Sequence, residues 1–274
     1  VTSSPSAIEP VTISYPEWAH ATAITHVAEV ILADNGFSVT LSAGDGDHIW
    51  QTVADGSADA MLAAWLPVTH GNYYGPEGTY TDQVEKLGAN YEDAQLGLVV
   101  PSYVSADSIS DLDDMSSEFG GEIQGIDPGA GIMDITQDMI DNDTYGLGDW
   151  NLIEASGPDM TTALGNAISS GEPIVVTGWR PHWKFAEWDL KLLDDPGGVY
   201  GEAEDIFTMV RQDLRLENPA AYQFFDRFDW TQLDMETVMV DIHEGSSPSD
   251  AAAAYVADNQ STVDELLPDT GYFE

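Results

Sequence analysis

The chain has 274 residues, enough for two lobes or one large domain, and 43% of them are hydrophobic and spread along its length. Seven Lys and Arg face 49 Asp and Glu, a formal net charge of -42; nucleic acid and anionic membrane surfaces are poor partners for such a chain. There is no cysteine, which excludes a disulfide framework, a thiol nucleophile and a Cys-bearing zinc site.

The acids are scattered among aromatic and aliphatic residues and form no blocks, so a disordered acidic tail does not describe them. They read as the solvated acidic surface of a halophile, whose self-repulsion is relieved where salt shortens the Debye length. No apolar run approaches the ~20 residues of a membrane span, and a soluble chain is expected. Residues 1–10 open small, polar and unpatterned, as a linker to a membrane anchor would.

Strand-like segments then alternate with helix-like ones, the pattern of an α/β protein with largely parallel strands. The strands are expected at 11–15, 38–41, 60–65, 96–101, 123–127, 152–155 and 173–177. Helices are expected at 19–35, ending at Gly36, and at 160–169, ending before Gly171. Beyond a strand-like run at 205–210 the pattern is helical, at 219–228, 233–243 and 249–267. These segments divide into one lobe of residues 11–100 and 205–274 and a second of residues 101–204. The runs 97–101 and 205–210 are the expected crossings.

No GxSxG elbow, HExxH pair or GxxxxGK[ST] loop is present. Gly129-Ala130-Gly131-Ile132-Met133-Asp134 lacks the third glycine of a dinucleotide fingerprint. Asp141-Asn142-Asp143-Thr144-Tyr145-Gly146 has Tyr145 and Leu152 where a calcium loop needs oxygen ligands. No catalytic, metal or cofactor motif is recognised, and an enzyme is not expected.

Three tryptophans share a setting. Trp18 follows the first strand, Trp65 precedes Leu66-Pro67, and Trp179 precedes Arg180-Pro181. Ligands of open α/β sheets bind beyond the carboxyl ends of the strands, where all three indoles are expected. Core packing is the competing account of any one of them, and it is the one adopted for Trp50, Trp150, Trp183, Trp188 and Trp230. Asp127-Pro128-Gly129-Ala130-Gly131-Ile132-Met133 is a strand end turning into a helix, whose free N–H groups suit a carboxylate. His70, five residues after Trp65, can donate a hydrogen bond and, if protonated, supply positive charge.

Tyr15-Pro16-Glu17-Trp18, Ala64-Trp65-Leu66-Pro67-Val68-Thr69-His70, Gly125–Met133 and Thr177-Gly178-Trp179-Arg180-Pro181-His182-Trp183 resemble the signature segments of glycine betaine-binding proteins of ABC importers. The resemblance runs from about Val11 to Val256. It implies a two-lobed class II periplasmic-binding-protein fold, with two crossing strands as hinge. In that family three indoles surround a trimethylammonium group, and they match Trp18, Trp65 and Trp179. The ligand carboxylate is held by backbone amides matching Gly131 and Ile132 and by a histidine matching His70. Pro16-Glu17 before Trp18 and Ala19-His20 after it depart from the family's usual small residues before and acid after.

The implied protein is a monomeric receptor outside the cytoplasmic membrane, tethered through its N-terminal linker, that delivers glycine betaine to an ABC permease for osmoprotection. The same pattern leaves open a receptor for proline betaine, carnitine or choline, and an α/β enzyme acting on a cationic small molecule.

Overall fold

The structure, a computed structural model, describes residues 10–267. Residues 1–9 of the expected linker lie outside the described residues. The chain begins with β1 (Val11–Tyr15), α1 (Ala19–Asp34), β2 (Val39–Ala43), α2 (Gly46–Ala54), β3 (Ala60–Leu66) and β4 (Val84–Pro101). There follow α3 (Ser116–Phe119), β5 (Glu122–Gln124), α4 (Gly131–Asp141), β6 (Asn151–Ile153) and α5 (Gly157–Ser170). Next come β7 (Val176–Arg180), α6 (Lys184–Glu187), β8 (Leu190–Leu192) and β9 (Glu204–Arg211). The described chain closes with α7 (Leu214–Glu217), α8 (Pro219–Arg227), α9 (Gln232–His243), α10 (Pro248–Asp258) and α11 (Gln260–Leu266).

Two compact units result: one holds the chain up to Glu92 and again from Asp205, the other Asp93–Glu204. The first division falls inside β4 at Asp93, whose φ of 61° is left-handed backbone that Asp tolerates better than most residues.

In the first unit β1 pairs in parallel with β2 and β3, and β3 pairs antiparallel with β9. All seven residues of β3 are buried, as an unbroken apolar run in a central strand should be. A register shift between Met61 and Ala64 bends this strand just before Trp65. Helix α1 lies against β1–β3 and against α9 and α10, so the C-terminal helices complete this core. Arg211 closes the unit's edge, donating through Nε to Asp59 at 2.7 Å and through Nη1 to Glu217 at 2.6 Å.

In the second unit the order is β8-β4-β7-β5-β6. Strand β7 is antiparallel to β4 and parallel to β5, which is parallel to β6. Gly178 of β7 is required by space: a Cβ there would come within 2.5 Å of Val99 Cγ2 and 3.2 Å of Lys184 Nζ.

Three expectations shift. Strand β7 begins at Val176 and runs to Arg180, so Trp179 lies within the strand. Pro173 has no N–H to place in a ladder, whereas Leu98, Gly97 and Leu96 of β4 pair with Thr177, Gly178 and Trp179. The helix expected over 249–267 breaks at Asn259, whose Nδ2 donates to the Tyr255 carbonyl at 2.9 Å and competes with helix continuation. Helix α2, strand β8 and the N-terminal part of β4 carry short or mixed patterns and are not anticipated by the sequence.

Seven cationic side chains cannot neutralise 49 acids, so most carboxylates are balanced by solvent ions alone. Raising salt from about 0.1 M to above about 1 M shrinks the Debye length from ~10 to ~3 Å and removes most of that repulsion. The melting temperature should rise by several degrees over that range, as followed by circular dichroism. A flat profile would contradict the account.

Candidate functional site

In the first unit the site residues gather around Trp65. Its indole is buried, and its Nε1–H donates to Nε2 of His20 at 2.9 Å. Its backbone N–H donates to Nδ1 of His70, also at 2.9 Å. An indole or amide N–H can only donate, so both accepting ring nitrogens must be unprotonated. His20 therefore carries a proton on Nδ1 at most, and His70 carries its proton on Nε2.

Both histidines are held neutral. Burial pushes His70 down to about 4. Burial, followed by the positive charge of His70 when protonated, pushes His20 down to about 3. The positive charge that the sequence allows for His70 is thus absent near neutral pH, and the ring offers a neutral Nε2–H donor. Its walls are aromatic: Trp18 stacks on His70 at 6.1 Å and 20°, and Trp50 meets it edge-on at 5.9 Å. Trp18 also lies against His20, at 6.2 Å. Trp50, read from the sequence as core, is buried and stacks with Tyr73, Tyr74 and Tyr80.

In the second unit Trp179 is buried on β7, and His182 meets its ring edge-on at 4.9 Å. Trp65 and Trp179 share a local device: each is followed, two residues on, by a proline in a cis peptide bond, Leu66-Pro67 and Arg180-Pro181. Gly131 and Ile132 open α4, which packs against β7 and β6. The preceding turn contains Gly129 at φ 87°, a conformation that glycine adopts without strain.

Helix capping separates these elements from the rest. Helices α2, α5, α8, α9 and α10 each start with Asp45, Ser156, Asn218, Thr231 or Ser247, whose side chain accepts a first-turn N–H. Among the described helices of nine residues or more, only α1 and α4 lack such a cap, with Trp18 and Ala130 at the N-cap. The Met133 N–H turns back to the Ala130 carbonyl at 2.8 Å, and the amides of Gly131 and Ile132 stand ahead of it at the positive end of the helix dipole. Among the described residues, no group of three or more His, Asp or Glu is placed to hold a metal ion.

The structure thus brings Trp18, Trp65 and His70 together in one unit and sets Trp179, Gly131 and Ile132 in the other. Sequence reading missed three residues that contact these indoles, His20, His182 and Lys184. His20 stands out beforehand only as a departure from the usual residue after Trp18. Lys184, whose buried Nζ lies 4.6 Å from the centre of the Trp179 ring, gives no sequence signal beyond its place in a cation-poor chain.

His20→Leu would leave a buried indole N–H without its acceptor and should cost about 1–3 kcal/mol of stability, while His20→Gln, whose Oε1 can accept, should cost less. Unfolded histidines bind protons below about pH 6.5, whereas these two resist protonation until about 4 and about 3. Stability should therefore be full above pH 6.5 and fall as pH drops toward 4, by at most ~1.4 kcal/mol per pH unit for each histidine. Urea melts across that range check both effects, and His20→Gln should flatten the slope.

The model of the substrate-binding domain of ABC-type glycine betaine transport systems matches residues 9–258. The glycine betaine/carnitine transport binding protein GbuC of Listeria monocytogenes is 45% identical over 152 residues, 55% of this chain and 50% of that protein. The match thus spans about half the length of this curated relative. A crystal structure of lactococcal OpuAC, closed and complexed with glycine betaine, is 42% identical with a TM-score of 0.89. It is matched over its full length and over 95% of this chain. The glycine betaine/L-proline-binding protein ProX of Borrelia burgdorferi is 32% identical with a TM-score of 0.90, covering 97% of this chain and all of that one. A choline-binding protein at 24% identity shares the fold, with a TM-score of 0.88. The α/β fold is that of periplasmic-type binding proteins, and the chain belongs to the family of substrate-binding domains of ABC-type glycine betaine transport systems.

Proposed function

We propose that this chain is the receptor that binds glycine betaine outside the cytoplasmic membrane and hands it to an ABC permease, without chemical turnover. The two compact units act as its lobes. Trp18, Trp65 and Trp179 present indole faces to the trimethylammonium group. The Nε2–H of His70 and the N–H groups of Gly131 and Ile132 take the carboxylate.

The observation that carries this reading is the Trp65–His70 pair. The backbone N–H of Trp65 occupies Nδ1 of His70, which leaves a neutral donor on a ring stacked against the Trp18 indole. That combination suits a ligand with a diffuse cation at one end and an acceptor at the other. A quaternary ammonium has no N–H, so aromatic faces serve it where hydrogen bonds cannot, at about 0.5–2 kcal/mol each. Three faces supply roughly 2–6 kcal/mol, while micromolar affinity needs about 8 kcal/mol, so the carboxylate contacts provide the balance.

The absence of a carboxylate among these contacts has its own logic. An acidic cage would collect alkali cations from the salt that a chain of charge -42 requires. Indoles favour a poorly hydrated cation with an apolar shell. Carnitine, also a trimethylammonium carboxylate, is the second reading, supported by the 45% identity to a protein described as binding glycine betaine and carnitine.

Titration calorimetry with glycine betaine, carnitine, proline betaine and choline tests the proposal. Glycine betaine should bind most tightly, and choline, which has no carboxylate, should be weakest by at least tenfold. Trp65→Ala and Trp179→Ala should each abolish binding while the melting transition persists. Micromolar affinity in either variant, or turnover of the ligand detected by mass spectrometry, would refute the reading.

A further inference from the structure

Lys184 is a buried lysine that the proposed recognition does not use. Its Nζ has no hydrogen-bond partner among the described residues. It sits 4.6 Å from the centroid of the Trp179 ring and 5.6 Å from that of Phe185. The missing side chain of Gly178 makes room for it, since a Cβ there would stand 3.2 Å from Nζ.

We propose that Lys184 and the ligand cation use opposite faces of the Trp179 indole, so that the charge state of Lys184 sets the affinity for the ligand. The inference rests on the reading of Trp179 as a ligand-facing indole. The physical argument concerns one ring serving two cations. A charged ammonium on one face draws on the same ring quadrupole that would attract a trimethylammonium on the other. It also repels that group directly. Two unit charges on the order of 9 Å apart, at an effective dielectric of ~20, change a binding constant by roughly ten- to twentyfold. A neutral amine does neither.

The groups facing Lys184 hold its charge near balance. Among the described residues no carboxylate forms an ion pair with it. Burial and then the like charge of Arg180, one strand residue beyond Trp179, bring it down to about 7. Arg180 itself lies over the other aromatic neighbour, with its guanidinium 4.0 Å from the Phe185 ring. His182 is a further titratable neighbour. Its Nδ1 accepts the backbone N–H of Lys184 at 3.1 Å, and its ring meets Trp179 edge-on. From β4 the contact is Val99, which is apolar. On α6 itself, Glu187 is exposed.

The direction follows. Below neutrality Lys184 is charged and binding is weak; above it the amine is neutral and binding is tight. By reciprocity, ligand binding must favour the neutral amine and release a proton, most of all near neutral pH.

The test is the dissociation constant of glycine betaine from about pH 6 to about pH 8.5, by calorimetry in two buffers of different ionisation enthalpy. The wild-type chain should bind roughly tenfold more tightly at the alkaline end, with heats that depend on the buffer near neutrality. Lys184→Met, which keeps the length and removes the charge, should bind tightly and equally throughout. Lys184→Arg, charged throughout, should bind weakly and equally. A flat wild-type profile overturns the inference. So does a Met variant that keeps the wild-type slope, which would assign the titration to His182. Lys184→Gln serves as the neutral variant if the Met chain does not melt cooperatively. Trp179→Ala separates the two layers. If it binds as wild type, the site reading itself fails. If it abolishes binding while Lys184→Met keeps the slope, only the role of Lys184 fails.

Discussion

Everything in the first unit's site depends on how Trp65 satisfies two donors inside a dry core. A buried indole must find an acceptor for its N–H, and a strand residue next to a bulge has a backbone N–H to place as well. Two histidines take both, His20 at the indole and His70 at the backbone. Each can do so only while neutral, and burial keeps both neutral. The same desolvation that suppresses their charge strengthens the hydrogen bonds they accept. It also leaves His70 in a single tautomer, with its remaining N–H directed away from the strand it holds.

Uncapped helices express the same economy. A chain with 49 acids and many Ser, Thr and Asn has caps in abundance, and the longer helices use them. The two exceptions, α1 and α4, start at Trp18 and at Ala130-Gly131. At α4 the proposed reading gives the amides of Gly131 and Ile132 a different acceptor, the ligand carboxylate. An Asp or Ser at position 130 would stabilise α4 by about 1 kcal/mol, and under the proposed reading it would also occupy the amides that the ligand carboxylate needs.

Much of the fold was legible in advance because hydrophobic periodicity is local. The strand 11–15 and the helix 19–35 are read within a residue of their observed ends, and 60–65 falls inside β3. What escaped depends on partners distant in sequence. The N-terminal part of β4 carries Glu85, Lys86, Gly88 and Glu92 in a mixed pattern, and its pairing partner β9 lies more than 100 residues away in sequence. β7 starts three residues late because β4 sets its register. The indoles were visible as Trp before Pro in two places. Their supports were not, since His20 meets Trp65 across 45 residues of chain and a lone lysine has no periodicity to betray it.

The two units repeat one local device, Trp-X-Pro with a histidine soon after, and back it differently. Trp65 is held by groups that carry no charge near neutrality, so its face keeps the full attraction of an indole for a cation. Trp179 has an amine on its ring whose charge is balanced near neutrality. Under the proposed reading, the first unit supplies a constant share of the cation affinity and the second an adjustable one. In a protein of net charge -42 the long-range field already favours any cation, but salt screens that field within a few ångströms. Selectivity and its adjustment must then come from groups that salt does not reach, and a buried ring with a buried amine behind it is such a place.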